Sequence, residues 1–185
     1  MEFDFINTPL EGLTLIQRKM NEDNRGFFSR FFCSEEYAAL GLTENIAQIN
    51  HTKTIRVGTV RGLHFQRPPH SEIKIVSCVR GEVFDVVVDI RKGSKTFLQW
   101  HGETLSEDNY RSLFIPRGFA HGFQALGNDC ELIYLHSAPY QQSSEGALNV
   151  SDPRLSISWP LSIVDLSERD SSHSFISEDF EGLET

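Results

Sequence analysis

Basic residues are scarce in this chain: 17 lysines and arginines stand against 26 aspartates and glutamates, a formal net charge of −9 over 185 residues. A nucleic-acid partner needs a basic face, so this balance argues against one. No apolar run approaches the roughly 18 residues of a membrane span. The opening Met1-Glu2-Phe3-Asp4-Phe5 has no basic stretch followed by an apolar one, so neither a membrane anchor nor a signal peptide is expected. The cysteines are three, Cys33, Cys78 and Cys130, odd in number and without close spacing. They suit reduced thiols in a cytoplasm better than a disulfide frame, and a cytoplasmic location is expected. No repeat of fixed period and no low-complexity linker divides the sequence, so residues 1–185 read as one domain with a hydrophobic core. The acids are partly local, with Glu168, Asp170, Glu178, Asp179, Glu181 and Glu184 near the end. The segment from about residue 171 therefore reads as an acidic, solvated tail.

What the chain does contain is mostly strand. One short helix is predicted over Ser34 to Gly41, with Ser34 as cap, early acids and a closing glycine. Ile73 to Val79 is β-branched and alternating, Arg80-Gly81 makes a turn, and Glu82 to Ile90 follows. Further strands are expected at Ser112 to Ile115, Gly122 to Leu126 and Glu131 to His136. Short strands separated by glycine point to an all-β, antiparallel sandwich or barrel.

Two segments stand out chemically. Arg61-Gly62-Leu63-His64-Phe65-Gln66 is answered by Pro116-Arg117-Gly118-Phe119-Ala120-His121-Gly122, each carrying one histidine beside a strand. Histidine titrates nearest neutrality and is the usual proton carrier in catalysis. A pair of core histidines bonded to the backbone is the plainer alternative. A β-barrel of the cupin kind often holds a metal between two such segments, but that takes three or four ligands. Two histidines fall short, and His70 follows Pro68-Pro69 in a loop expected to face solvent. No bound metal is expected, and no glycine fingerprint for a dinucleotide follows a strand.

Asp23-Asn24-Arg25-Gly26-Phe27-Phe28, Gln48-Ile49-Asn50-His51, the His64 segment, Arg80 to Val86, the His121 segment, Asp152-Pro153 with Trp159-Pro160, and Ser167-Glu168-Arg169-Asp170 occur in order. Seven motifs in register, from about Pro9 to Asp170, resemble the dTDP-4-dehydrorhamnose 3,5-epimerase family. The resemblance implies a cupin-type double-stranded β-barrel (a jelly roll) with a few short helices, no cofactor, and a homodimer. It implies an isomerase acting on a nucleotide-diphosphate sugar, a 4-keto-6-deoxy hexose, in deoxysugar and polysaccharide biosynthesis.

A ketone at C4 acidifies the protons at C3 and C5, so such an enzyme needs a base, an enolate stabiliser and an acid on the other face. By the family pattern the base is His64, oriented by Asp170; Lys74 stabilises the enolate and Tyr134 is the acid. Without the family, Lys74 reads as a surface lysine opening a strand, and Tyr134 as a core tyrosine with a satisfied hydroxyl. The remaining matches read as substrate holders: Arg25 and Arg61 for the diphosphate, and Gln48, Asn50 and His121 for the sugar. Ile49 is expected to contribute a backbone contact. Tyr140 matches a position that stacks on the base, Glu145 one that hydrogen-bonds it, and Arg169 meets nucleotide or phosphates.

The chain departs from the family at Arg30, where an acid is usual, at Leu135 in place of lysine, at Pro139 in place of an aromatic, and at Val150-Ser151 in place of Trp-Asn. These departures are expected around nucleotide and sugar. Alternative readings are an epimerase acting at C3 or C5 alone or on another nucleotide sugar such as a CDP-4-keto-deoxyhexose, a keto-sugar isomerase, and a nucleotide-sugar binding module without activity.

Overall fold

The computed structural model describes residues 2–185. Among the described residues there are thirteen strands: β1 Phe3–Asn7, β2 Thr14–Arg18, β3 Asn21–Asp23, β4 Gly26–Phe28, β5 Gln48–Thr54, β6 Val60–Gln66, β7 Lys74–Arg80, β8 Glu82–Asp89, β9 Trp100–Ser106, β10 Arg111–Ile115, β11 Phe119–Ala125, β12 Cys130–His136 and β13 Glu145–Ala147. Two four-residue helices, α1 Ser34–Tyr37 and α2 Glu168–Ser171, join them. One sheet has the order β1-β2-β10-β7-β12-β5 and the other β13-β6-β11-β8-β9; β3 and β4 form a separate hairpin. All their pairings are antiparallel. The two sheets make a cupin-type double-stranded β-barrel, as the sequence implied.

The side-chain period of two decides what lies inside. On β8, Val83 and Val87 point between the sheets while Val86 and Val88 point outward. On β7 and β12, Val76, Cys78 and Leu132 point inward and Ile75 and Leu135 outward. The inward apolar set, with Leu113, Leu105 and Phe123, packs one half of the barrel. The same inward rows continue as Lys74 on β7 and Tyr134 and His136 on β12, and there the interior opens into a cavity. Both outer faces are covered as well. The α1 region lays Tyr37 and Leu42 on one sheet, and the chain after β13 lays Leu148, Val150 and Leu155 on the other. Burial on both faces explains why β7 and β8 read as nearly continuous apolar runs.

Two expectations change. The helix after Cys33 is shorter than predicted: Cys33, not Ser34, occupies the cap and supplies no side-chain bond. After Tyr37 the chain tightens into a 3₁₀ turn over Ala38–Leu40, ended by Gly41 at φ 91°. Tyr37, fully buried and edge-on to Phe3, pins that short helix. The C-terminal segment keeps its acids in solvent but is no free tail. Ile176, Phe180 and Leu183 pack on the outer core, Leu183 exchanges backbone bonds with Ile90 and Lys92, and Phe180 stacks on Phe97. No helix among the described residues is long and apolar enough to cross a membrane.

Candidate active site

A cavity of about 750 Å³ occupies the open half of the barrel, with both sheets contributing to its walls. From the five-stranded sheet come Arg61 and His64 on β6 and His121 on β11; from the six-stranded sheet come Gln48 and Asn50 on β5, Lys74 on β7, and Tyr134 and His136 on β12. Helix α2 closes one side with Arg169 and Asp170.

The spacing of Arg61 and His64 is made possible by Gly62. On β11, His121 faces His64 while Phe123 faces Arg61, so three steps on β6 oppose two on β11. This is a bulge, and it turns both Arg61 and His64 inward where plain alternation would separate them. Gly62 sits at φ +131°, and a Cβ there would stand 2.5 Å from the Gly122 Cα. Only glycine tolerates both the conformation and the approach.

His64 Nε2 lies 2.8 Å from Asp170 Oδ1. A carboxylate accepts a ring N–H, which leaves Nδ1 as the basic nitrogen. Asp170 also accepts the Gly62 amide at 3.3 Å. Its own amide donates to Ser167 Oγ, which caps α2. Burial pushes the Asp170 carboxyl up, but the bonds and charges of His64, the Gly62 amide and the Arg169 charge outweigh it and hold it at about 2. Arg169 Nη2 approaches the same ring nitrogen at 3.1 Å, and its Nη1 pairs with Glu145 Oε1 at 3.0 Å. Asp170, the shorter contact and the only acceptor of the two, is the partner of the ring N–H.

Across the cavity, Tyr134 packs edge-on against His121, ring centroids 5.9 Å apart. Burial raises the Tyr134 phenol above its ordinary value, with the nearby Asp85 charge adding to it, so the hydroxyl stays protonated. His121 Nε2 is 2.9 Å from Asp85 Oδ2, a fully buried carboxylate whose pKa burial raises against the pull of His121. Lys74 is buried, 8% exposed, with its ammonium 3.2 Å from Glu72 Oε1 and donating to the His64 carbonyl at 3.3 Å. It opens a strand, as expected, but at the cavity wall rather than on the surface. Arg61 donates to Thr54 Oγ1 and the Lys53 carbonyl. At the mouth, the Tyr140 hydroxyl donates to Glu145 Oε2 at 2.9 Å, and the Tyr140 amide to Gln48 Oε1 at 3.0 Å.

Some expected residues lie elsewhere. Arg25 does not line the cavity: it sits on the β3–β4 hairpin, 85% exposed, its guanidinium paired with Asp23. The hairpin is a sheet of its own, which carries Arg25 away from the barrel. Ile49 is 63% exposed and also outside the lining, because the period of two on β5 turns it away from Gln48 and Asn50. Nor do the departures cluster at the cavity. Arg30 pairs with Glu36, Leu135 is in the outer core, and Val150 is buried behind the other sheet; Pro139 alone comes near, its carbonyl accepting from Gln66. His70 lies in its loop, half-buried, with Nδ1 2.8 Å from Ser144 Oγ.

Asp85, Glu72 and His136 were missed by motif reading. Each stands two residues from an inward-facing group, Asp85 from Val87, Glu72 from Lys74 and His136 from Tyr134, so extending the period of two along the strand finds all three.

The model of a family described as dTDP-4-dehydrorhamnose 3,5-epimerase matches residues 7–178. The dTDP-4-dehydrorhamnose 3,5-epimerase of Methanothermobacter thermautotrophicus is 41% identical over 172 residues, 91% of this chain and 92% of that protein. The dTDP-4-dehydrorhamnose 3-epimerase of Streptomyces niveus is 38% identical, over 91% of this chain and 82% of that one. Among solved structures, a dTDP-6-deoxy-D-glucose-3,5-epimerase from Legionella pneumophila, in complex with dTDP-4-keto-L-rhamnose, superposes with a TM-score of 0.89 at 41% identity, covering 94% of this chain and 92% of that one. With matches over nearly its whole length, the chain belongs to the dTDP-4-dehydrorhamnose 3,5-epimerase family, isomerases of the racemase and epimerase class that act on carbohydrates.

Proposed function

We propose that this enzyme inverts C3 and C5 of a dTDP-linked 4-keto-6-deoxy hexose through enolates, using its own side chains and no cofactor. The observation that carries the reading is the placement of His64, held by Asp170, on one sheet of the barrel and of Tyr134 on the facing sheet, with Lys74 at the same cavity. His64 Nδ1 removes the proton beside the ketone. The electrons move to the C4 oxygen, where the Lys74 ammonium offsets the developing charge. Tyr134 then delivers its hydroxyl proton to the opposite face of the same carbon, and the carbon is inverted. Protons exchange with solvent after each inversion, before the next carbon is deprotonated, since His64 is left protonated and Tyr134 deprotonated.

Around this centre, His121 backed by Asp85, with Gln48 and Asn50, meets the sugar. Arg61 and Arg169 meet the diphosphate, and Tyr140 and Glu145 hold the base. The Streptomyces niveus relative carries the name of a 3-epimerase, so the number of centres is a quantity to measure. Incubation with dTDP-4-keto-6-deoxyglucose in deuterium oxide, followed by proton NMR, should show deuterium at C3 and at C5. Exchange at neither carbon contradicts the reading, and faster exchange of the CDP-linked sugar contradicts the nucleotide.

The enzyme is proposed to act as a homodimer. The β3–β4 hairpin exposes Phe27 at 55% and Phe28 at 68%, and β5, at a sheet edge, exposes Ile49, with Ile55 exposed just beyond its end. Covering them offsets the aggregation hazard of an open edge. Arg25 lies on that same exposed hairpin, outside the cavity of its own chain, so its role at the diphosphate requires such a contact to carry it to the cavity of a second copy. Light scattering should give a mass of about twice the 21.0 kDa of one chain; a mass near one chain contradicts the dimer.

A further inference from the structure

Two buried titratable groups at the cavity wall have no part in the mechanism above. Glu72 and His136 are each 9% exposed. His136 stands opposite Lys74 in the pairing of β12 with β7, and opposite Gln48 in its pairing with β5. The three side chains thus form one row across adjacent strands, and Glu72, two residues before Lys74, reaches the same row.

The bonds within this row have a direction. The His136 ring contacts Glu72 Oε2 through Nδ1 at 3.0 Å and Asn50 Nδ2 through Nε2 at 3.3 Å. The carboxylate accepts only and the Asn50 amide nitrogen donates only, so the proton sits on Nδ1 and the lone pair on Nε2. Gln48 donates to Asn50 Oδ1 at 3.1 Å, which fixes the orientation of the Asn50 amide. Gln66 Nε2 donates to Glu72 Oε2 at 3.1 Å. One oxygen of Glu72 is therefore taken by His136 and Gln66, and the other, Oε1, faces the Lys74 ammonium at 3.2 Å. With the bond to the His64 carbonyl, two of the three N–H groups of Lys74 are engaged and the third is left for a ligand in the cavity.

Lysine ends four flexible bonds, and an ammonium that must find its place during the reaction stabilises an oxyanion poorly. Buried without a counter-charge it is also costly to keep. We propose that Glu72 and His136 are positioning residues for the enolate-stabilising lysine: His136 fixes the Glu72 carboxylate, and Glu72 fixes the Lys74 ammonium at the C4 oxygen. The inference rests on the assignment of Lys74 made above. Because the chain of bonds starts from Gln48 and Asn50 at the sugar contact, it also ties the position of the ammonium to the residues that hold substrate.

Steady-state kinetics on dTDP-4-keto-6-deoxyglucose with four variants separates the possibilities, dTDP affinity and far-ultraviolet circular dichroism serving as checks of folding. Glu72→Gln keeps the shape and removes the charge; His136→Leu removes the donor; His136→Asn keeps an amide donor near the Nδ1 position; Lys74→Met removes the ammonium. Glu72→Gln and His136→Leu should lower kcat about tenfold or more with KM within about threefold, less than the loss of roughly 10²–10³ for a deleted oxyanion donor. His136→Asn should recover most of kcat. Parent-like kcat in Glu72→Gln and His136→Leu, with Lys74→Met impaired, overturns the inference and leaves the role of Lys74 standing. A loss in KM alone, or no recovery in His136→Asn, overturns it too. Parent-like kcat in Lys74→Met overturns the role of Lys74 itself.

Discussion

His64 and Asp170 are 106 residues apart in sequence and 2.8 Å apart in space. The chain reaches this contact by folding the whole outer face of one sheet under the segment from Leu148 to Leu166, so that α2 arrives beside β6. Asp170 is then fixed from three directions, by the His64 ring, the Gly62 amide and its own cap on Ser167.

Those bonds make a pH-dependent contribution to stability. Folding lowers the Asp170 carboxyl from 3.8 to about 2. The stabilisation is complete above the unfolded value and is lost as pH falls through the folded one. It amounts to something on the order of 2 kcal/mol. Asp170→Asn should therefore lower the urea midpoint at pH 5 and above, and the gap to the parent should close between pH 4 and pH 2. A gap that stays constant over that interval contradicts this account of the pair.

Gly62→Ala tests the bulge. The added methyl meets the Gly122 Cα at 2.5 Å in a backbone conformation that L side chains rarely adopt. A cost above about 2 kcal/mol in unfolding free energy is expected, with loss of activity because Arg61 and His64 no longer share the cavity. A variant as stable and active as the parent means that the bulge does not position them.

His64→Ala should lose deuterium exchange at every exchanged carbon while its circular dichroism stays that of the folded parent, its unfolding midpoint being lowered by loss of the bond to Asp170. Removal of a general base costs about 10²–10⁴-fold. Exchange at the parent rate identifies another base, with His121, already paired to Asp85, the first to examine.

The strand-rich class was legible because inward and outward apolar residues alternate on β7, β8 and β12, and His64 and His121 because each stands in a glycine-bearing segment, whereas Lys74, Tyr134 and Asp170 were legible only through the family pattern. The physical reason for those glycines was not legible: Gly62 and Gly122 are 60 residues apart, and their approach exists only once β6 lies beside β11. Composition also misjudged the C-terminus. The acids between Glu178 and Glu184 mark solvent, yet Ile176 just before them and Phe180 and Leu183 among them anchor the backbone to the barrel. Arg25 stands away from its own chain's cavity, since a motif fixes residue type and order but not which side of the molecule a hairpin faces.

The central claim is that base and acid act from facing sheets, and Tyr134→Phe tests it most directly. The change removes one hydroxyl and leaves the ring against His121. With dTDP-4-keto-6-deoxyglucose in deuterium oxide, His64 can still take a proton and return deuterium to the same face. NMR should show label entering C3 or C5 of the starting sugar at a rate well above that of inversion, where the parent gives inverted, labelled product. Exchange and inversion falling together, or neither changing, would mean that the proton on the far face comes from another group.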